Sequence, residues 1–229
     1  MPLSLTPAYH GSLIADALCM PVHWYYNREA LDRDYPDLSK FSAPLPHHPD
    51  SIFWRSEYTA LNEKGEILHD QAPFWGQRHV HYHQNLKAGE NTANFKLARL
   101  LYHQVTEAGH YSEEAWLDLY IEKMLTPGWH RDTYLEEYHR GFFTRYAQGK
   151  DIRKCGIKDE HIGGLATVPA LVAALTSEGQ AQRLDREAIR QTVKSHVALT
   201  HRHSNVLRAA DCLTRLLLDL SEDIPLREA

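Results

Sequence analysis

The apolar positions of this chain recur mostly with the 3.6-residue period of a helix and only rarely with the alternation of a strand. From Thr6 to about Leu18 the residues Leu13, Ile14, Ala17 and Leu18 fall on one helical face, and Gly11 and Ala15 are small enough for close helix contact. Pro21 stops that run, and Asn27 is placed to cap a short turn through about Asp32. Residues 33–88 break the pattern, because Pro36, Pro44, Pro46, Pro49 and Pro73 exclude a long helix. Within them, Tyr58–Leu61 and Ile67–His69 flank Asn62–Gly65 and predict a small hairpin. A loop-rich stretch of this length inside a domain points to function.

Helical periodicity then returns. The run from Asn91 to Ala108 carries Phe95, Leu97, Leu100, Leu101 and Val105 and ends at Gly109. Ser112 caps a helix to about Leu125, and Thr133–Glu136 has capping-box spacing that opens a helix to about Gln148. His161–Thr176 is apolar on most sides and predicts a central buried helix, kinked or ended in its first part by Pro169. Asp185 caps a helix to about Leu199, and Ser204 caps the last, to about Leu220. On that last helix Val206, Leu207, Ala210, Leu213, Leu217 and Leu220 form one face, widened by Ala209, Cys212 and Leu216. A stripe so broad expects cover on more than one side, from a continuation of the chain or from a partner. The expected fold class is all-α: a multi-helix orthogonal bundle with one long loop-rich insertion at about 33–88, in a single domain over residues 1–229.

Composition narrows the function classes. A net charge of -5 leaves no basic footprint for nucleic acid or an anionic membrane surface, although a small anionic ligand needs only a few donors in a cleft. No run of about 18 apolar residues predicts a membrane span, and no Lys or Arg precedes the first apolar stretch as a secretory signal requires. Cys19, Cys155 and Cys212 lie far apart without a CxxC pair, which fits reduced thiols serving as small core residues in a cytoplasmic protein. The 16 histidines give weight to metal or acid–base chemistry.

Candidate chemistry gathers in a few segments. Asp16 inside an apolar helix is costly unless bonded, so it either ties to a neighbouring backbone or Arg or supports a site. Glu90 and Asn91 follow Gly89 at a helix start, where oxygen ligands on a tight turn suit Mg²⁺, while simple N-capping by Asn91 or Thr92 is the plainer alternative. In Asp159-Glu-His161-Ile-Gly163-Gly164 the two glycines let backbone N–H groups approach a phosphate, or merely permit close packing. In Thr200–Ser204, His201 or His203 can bond a ligand or a carboxylate and Arg202 can pair with phosphate, unless the turn is a solvated connector. His79, His81 and His83 would share one side of a strand and could bind Zn²⁺, although no clear fourth ligand lies nearby.

Taken in order, these segments resemble the ADP-ribosylglycohydrolase family. Gly11-Ser-Leu-Ile-Ala-Asp16-Ala-Leu is similar to that family's opening G-x-x-x-G-D-A-L helix, with Ala15 in place of glycine. Gly89-Glu90-Asn91-Thr92 stands where the family has T-D-D-T, and Thr200-His201-Arg-His203 is similar to its T-H-x-H turn. The run Asp159–Leu171 resembles most the branch that includes jellyfish J1 crystallins and selenoprotein J. The resemblance implies an all-α fold and a cleft for ADP-ribose, presented free or on an ADP-ribosylated small molecule or protein. It also implies a pair of Mg²⁺ or Mn²⁺ ions that assist cleavage of an N- or O-glycosidic bond. On this reading Glu90 and Asn91 match two metal-binding aspartates, with Glu90 also orienting the attacking water. Asp159, His161, Gly163, Gly164, His201 and His203 border the ligand.

Two departures qualify that implication. An amide at Asn91 removes a negative charge that two close dications need, and no D-x-D-T-like second cluster occurs in the chain. The resemblance therefore also allows a relative that binds ADP-ribose without cleaving it, or a structural, crystallin-like protein. Together with the broad stripe on the last helix, the missing cluster predicts a chain lacking the family's C-terminal helices.

Overall fold

The structure is a computed structural model and describes residues 3–227. Among the described residues the helices are α1 (Thr6–Cys19), α2 (Arg28–Asp34), α3 (Ala93–Ala108), α4 (Glu113–Met124), α5 (Glu137–Ala147), α6 (Val168–Leu175), α7 (Arg186–Ala198) and α8 (Ser204–Ser221). No sheet forms among them; two isolated β-bridges, His47 with Val80 and Ile157 with His201, are the extent of strand pairing. The all-α expectation is met. None of these helices is long and apolar enough to cross a membrane.

Local chemistry sets several helix ends. Asn27 Oδ1 accepts from Ala30 N at 3.1 Å, Ser112 Oγ from Ala115 N at 3.3 Å and Asp185 Oδ1 from Ala188 N at 2.8 Å, each satisfying an N–H that the first turn leaves unpaired. Gly109 ends α3 at φ +70°, a left-handed conformation that a Cβ disfavours.

Elsewhere tertiary bonds override local pattern. The helix expected over 161–176 is split: Ile162–Leu165 is a 3-10 turn, and α6 starts at Val168 with Pro169 in its first turn, where the missing N–H costs nothing. The Thr133 capping box opens no helix, and α5 begins only at Glu137. Trp75 Nε1 donates to Thr133 O at 2.9 Å and Tyr134 N to Tyr82 O at 3.0 Å, which holds this segment extended against the loop-rich region. α8 is capped by His203, whose Nδ1 accepts from Asn205 N at 3.2 Å, and not by Ser204. The hairpin around Asn62–Gly65 is instead a 3-10 turn at Glu63–Gly65, closed by Asn62 Oδ1 on Lys64 N and tied to α5 through Ala147 O.

The centre of the fold is α6. It packs on α3, α1, α7 and α8, and all its residues but Pro169 are buried. Each fully buried Leu or Val here contributes roughly 1.5–3 kcal/mol relative to exposure. The broad stripe of α8 packs on α6 and α7: Val206, Ala210, Leu217 and Leu218 are buried, Leu207, Leu213, Leu216 and Leu220 are half-buried, and Ala209 and Cys212 are exposed. Arg190 of α7 adds a two-pronged pair with Asp211 of α8. Only Cys155 among the cysteines is a core residue; Cys19 and Cys212 are exposed.

The loop-rich region is ordered by aromatic packing. Phe53, Val80 and Tyr82 form a second small core with Trp24, Phe74, Trp75 and Tyr134. Tyr82 Oη accepts from Ile52 N at 3.0 Å. This packing lays residues 79–83 beside the end of α1.

Candidate functional site

A cavity of about 520 Å³, within the usual range for small-molecule sites, opens between the C-terminal half of α1, the start of α3, the segment 132–136 and the turn Ile162–Leu165. Its chemistry is built by three carboxylates, Asp16, Asp132 and Glu136, each in its own network.

Asp16 joins α1 to the N-terminus of α3. Its Oδ2 accepts from Thr92 N at 2.9 Å and Asn91 Nδ2 at 3.0 Å, and its Oδ1 accepts from Thr92 Oγ1 at 2.8 Å. The negative charge sits at the positive end of α3. Burial still pushes its carboxyl up to about 6, against the lowering effect of those bonds.

Asp132 is fully enclosed. Its Oδ1 accepts from His83 Nδ1 at 2.8 Å, and its Oδ2 is buried without a protein partner. His83 Nε2 meets His23 Nδ1 at 2.9 Å. Burial raises Asp132 to about 6 and holds both imidazoles down at about 3, hence neutral. His83 N donates to His81 Nδ1 at 3.0 Å, and His81 Nε2 donates to Pro21 O at 3.0 Å, which anchors the run to the end of α1.

Glu136 Oε2 accepts from Asn94 Nδ2 at 2.9 Å, and Asn94 Oδ1 accepts from Tyr138 Oη at 2.5 Å and His139 Nε2 at 3.0 Å. Tyr120 Oη closes the chain on His139 Nδ1 at 2.7 Å. Burial raises the Glu136 carboxyl and keeps His139 neutral. A Cβ on Gly163 would sit inside contact distance of Glu136 Oε2, so the missing side chain lets the turn close on this carboxylate. One wall is aromatic: Trp24, at φ +61°, lies 4.5 Å from the Tyr82 ring and edge-on to Tyr134 at 5.8 Å. Backbone so sparsely populated by non-glycine residues often marks a functional site.

The residues singled out from sequence are distributed unevenly around this cavity. Gly163 lines it. Gly164 and His201 line a separate small void of about 20 Å³, where His201 is buried with Nε2 unpartnered. Asp159 Oδ1 accepts from His161 N at 2.8 Å, His161 is exposed, and His203 serves as the cap of α8. Glu90 and Asn91 stand just outside the lining. Glu90 Oε1 takes Lys96 Nζ at 2.7 Å, while Oε2 takes Arg131 and the Lys87 N–H. Burial opposes ionisation of this carboxyl, but these partners outweigh it and hold it below the usual carboxylate range. Asn91 Nδ2 is shared between Leu13 O, at 2.7 Å, and Asp16.

Glu90 and Asn91 so arranged do not fit a dication pair: one carboxylate is already neutralised by two cations, and the amide is spent on anchoring α1. No group of three or more His, Cys, Asp or Glu side chains among the described residues is placed to hold a metal ion. The zinc expectation fails on geometry as well. His79 is exposed at φ +59° while His81 and His83 are buried, so the three do not share a strand face.

Sequence reading missed His23, Trp24, Asn94, Asp132 and Glu136 as cavity residues. No local spacing marks them; they converge from three distant segments, and only His83 stood in a run that drew attention.

An ADP-ribosylglycohydrolase family model matches residues 5–225. No curated protein and no solved structure matches the chain. The family match spans nearly the whole fold described above, including the α1 and α3 segments that meet at Asp16, and the chain belongs to the ADP-ribosylglycohydrolase family.

Proposed function

We propose that the cavity takes the ADP-ribosyl group of an ADP-ribosylated small molecule or protein, and that the protein hydrolyses its glycosidic bond. The observation that carries this reading is convergence. Asp16, the start of α3 and Gly163, which belong to separate family-like segments, meet at one cavity of ligand size that also holds Asp132 and Glu136. Buried carboxylates suit the positive charge that develops at the anomeric carbon as a glycosidic bond breaks. Trp24 and Tyr134 supply flat apolar surface for a base or a ribose face.

A second reading is favoured by Glu90 and Asn91, whose polar atoms are already engaged. On that reading the protein binds ADP-ribose without cleaving it, in keeping with the likeness of Asp159–Leu171 to the crystallin and selenoprotein J branch. Calorimetric titration of ADP-ribose with and without Mg²⁺, paired with mass-spectrometric detection of ADP-ribose released from O- and N-linked substrates, separates the two. Saturable binding with time-dependent release supports hydrolysis. Binding without release leaves the binder, and no binding sinks both and leaves a structural role.

A further inference from the structure

Two imidazoles and a carboxylate form one unbroken line into the cavity. Asp132 Oδ1, His83 Nδ1, His83 Nε2 and His23 Nδ1 are joined at 2.8 and 2.9 Å; all three residues border the cavity, but Asp132 and His83 are buried in its wall and only His23 is partly exposed. An ionised carboxylate can only accept, so His83 carries its proton on Nδ1 and presents a bare Nε2. His23 must then donate from Nδ1, and its own Nε2 is a bare lone pair with no partner among the described residues. Trp24 covers the line, stacked on His83 at 5.7 Å and edge-on to His23 at 5.4 Å. His48 Nε2 donates to His23 O at 2.9 Å and fixes the backbone from below.

We propose that Asp132, His83 and His23 are a proton wire that lets the buried carboxylate act as general base on a water in the cavity, with His23 the catalytic residue and His83 and Asp132 positioning residues. This inference rests on the cavity being the ADP-ribosyl site. The water oxygen forms the bond to the anomeric carbon while the bond to the leaving oxygen or nitrogen breaks. The electron pair goes to the leaving atom, which takes a proton from solvent. The water proton passes to His23 Nε2, the His23 Nδ1 proton to His83 Nε2, and the His83 Nδ1 proton to Asp132 Oδ1. Each imidazole changes tautomer, neither remains charged, and the carboxylic acid later returns its proton by the same path.

Burial explains why a wire suits this site better than a histidine base alone. Both imidazoles are held neutral, so a proton does not rest on them, whereas Asp132 at about 6 accepts one near neutrality. The charged and titratable groups that face the wire are His48 and His81 from the loop-rich region, Asp16 from α1, Glu90 just before α3 and Lys96 in its first turn, His130 and Glu136 from the segment that carries Asp132, and Tyr138 from α5.

The test has two independent arms. Long-range ¹H–¹⁵N NMR of the intact protein at pH 8 reads the tautomers directly. His83 and His23 protonated on Nδ1 are expected, and a His23 protonated on Nε2 overturns the wire whether or not ADP-ribose binds. In the release assay, His23→Ala is expected to slow ADP-ribose release by about 100-fold or more, the usual scale for a lost general base, with its affinity for ADP-ribose within about threefold of wild type. Added imidazole is expected to restore part of that rate, which a purely structural defect would not allow. Asp132→Asn should slow release similarly without imidazole rescue, and its folding is checked by the same titration. Unchanged release in His23→Ala overturns the proposal while leaving the cavity reading intact; a wild-type protein that fails to bind ADP-ribose overturns that reading instead.

Discussion

Asp16 and Thr92 form the joint on which the site hangs. The carboxylate takes the Thr92 backbone N–H at 2.9 Å and its hydroxyl at 2.8 Å, so one residue of α1 replaces the cap that the first turn of α3 would otherwise lack. Removing it by Asp16→Ala leaves a buried N–H, a hydroxyl and the Asn91 amide short of a partner. Unfolding in urea is expected to show a loss of about 2–4 kcal/mol, the scale for breaking a buried charged hydrogen-bond cluster. Asp16→Asn keeps the shape and should cost less. A loss below about 1 kcal/mol for the alanine variant would deny the joint its role.

Gly163 tests the closeness of the turn to Glu136. In Gly163→Ala the new methyl would overlap the Glu136 carboxylate and is expected to displace it from Asn94. The expected result is ADP-ribose binding weakened by about tenfold, with stability reduced by only about 1–3 kcal/mol as for an overpacked site. Wild-type affinity in this variant would place the ligand elsewhere.

Glu90 tests the metal question. Its carboxylate is shared by Lys96 and Arg131 at a partly exposed position, where such pairs contribute about 0–1 kcal/mol. Glu90→Gln should therefore shift the melting temperature little and leave any Mg²⁺ effect on ADP-ribose titration as in the wild type. If Mg²⁺ strengthens wild-type binding and that effect vanishes in the variant, Glu90 is a metal ligand after all.

Stability should fall on acidification, and the sign follows from the histidines. His23, His81, His83 and His196 are held by burial at about 3, and His201 at about 4, against about 6.5 in the unfolded chain. Between these limits the unfolded state binds more protons, so their contribution is complete above about 6.5 and is lost as pH drops towards 3. Asp16 and Asp132, raised to about 6, act oppositely between about 4 and 6, where the folded state binds the extra proton. The histidines outnumber the carboxylates, so urea midpoints measured from pH 8 to pH 4 are expected to decrease. A midpoint that rises through that range would contradict their burial as neutral groups.

The legible part of this protein is what short-range chemistry controls. The all-α class, α3 ending at Gly109, α4 capped by Ser112, α7 capped by Asp185 and the buried α6 follow from periodicity, caps and prolines, because a helix bonds within its own segment. The family motifs likewise pointed to Asp16 and Gly163 as residues near a site. The loop-rich region was legible only as an interruption: its order comes from Phe53, Tyr82 and Trp75 meeting Trp24 and Tyr134, partners far apart in the chain. For the same reason the cap at Thr133 yielded to bonds with Trp75 and Tyr82, and which part of the α8 stripe packs on α6 and α7 was not legible. The cavity itself was decided wholly by tertiary structure. Asp132, His83 and His23 carry no mutual spacing that could announce them, and it is burial among distant neighbours, which strips away water and sets their protonation, that turns three ordinary residues into one connected line.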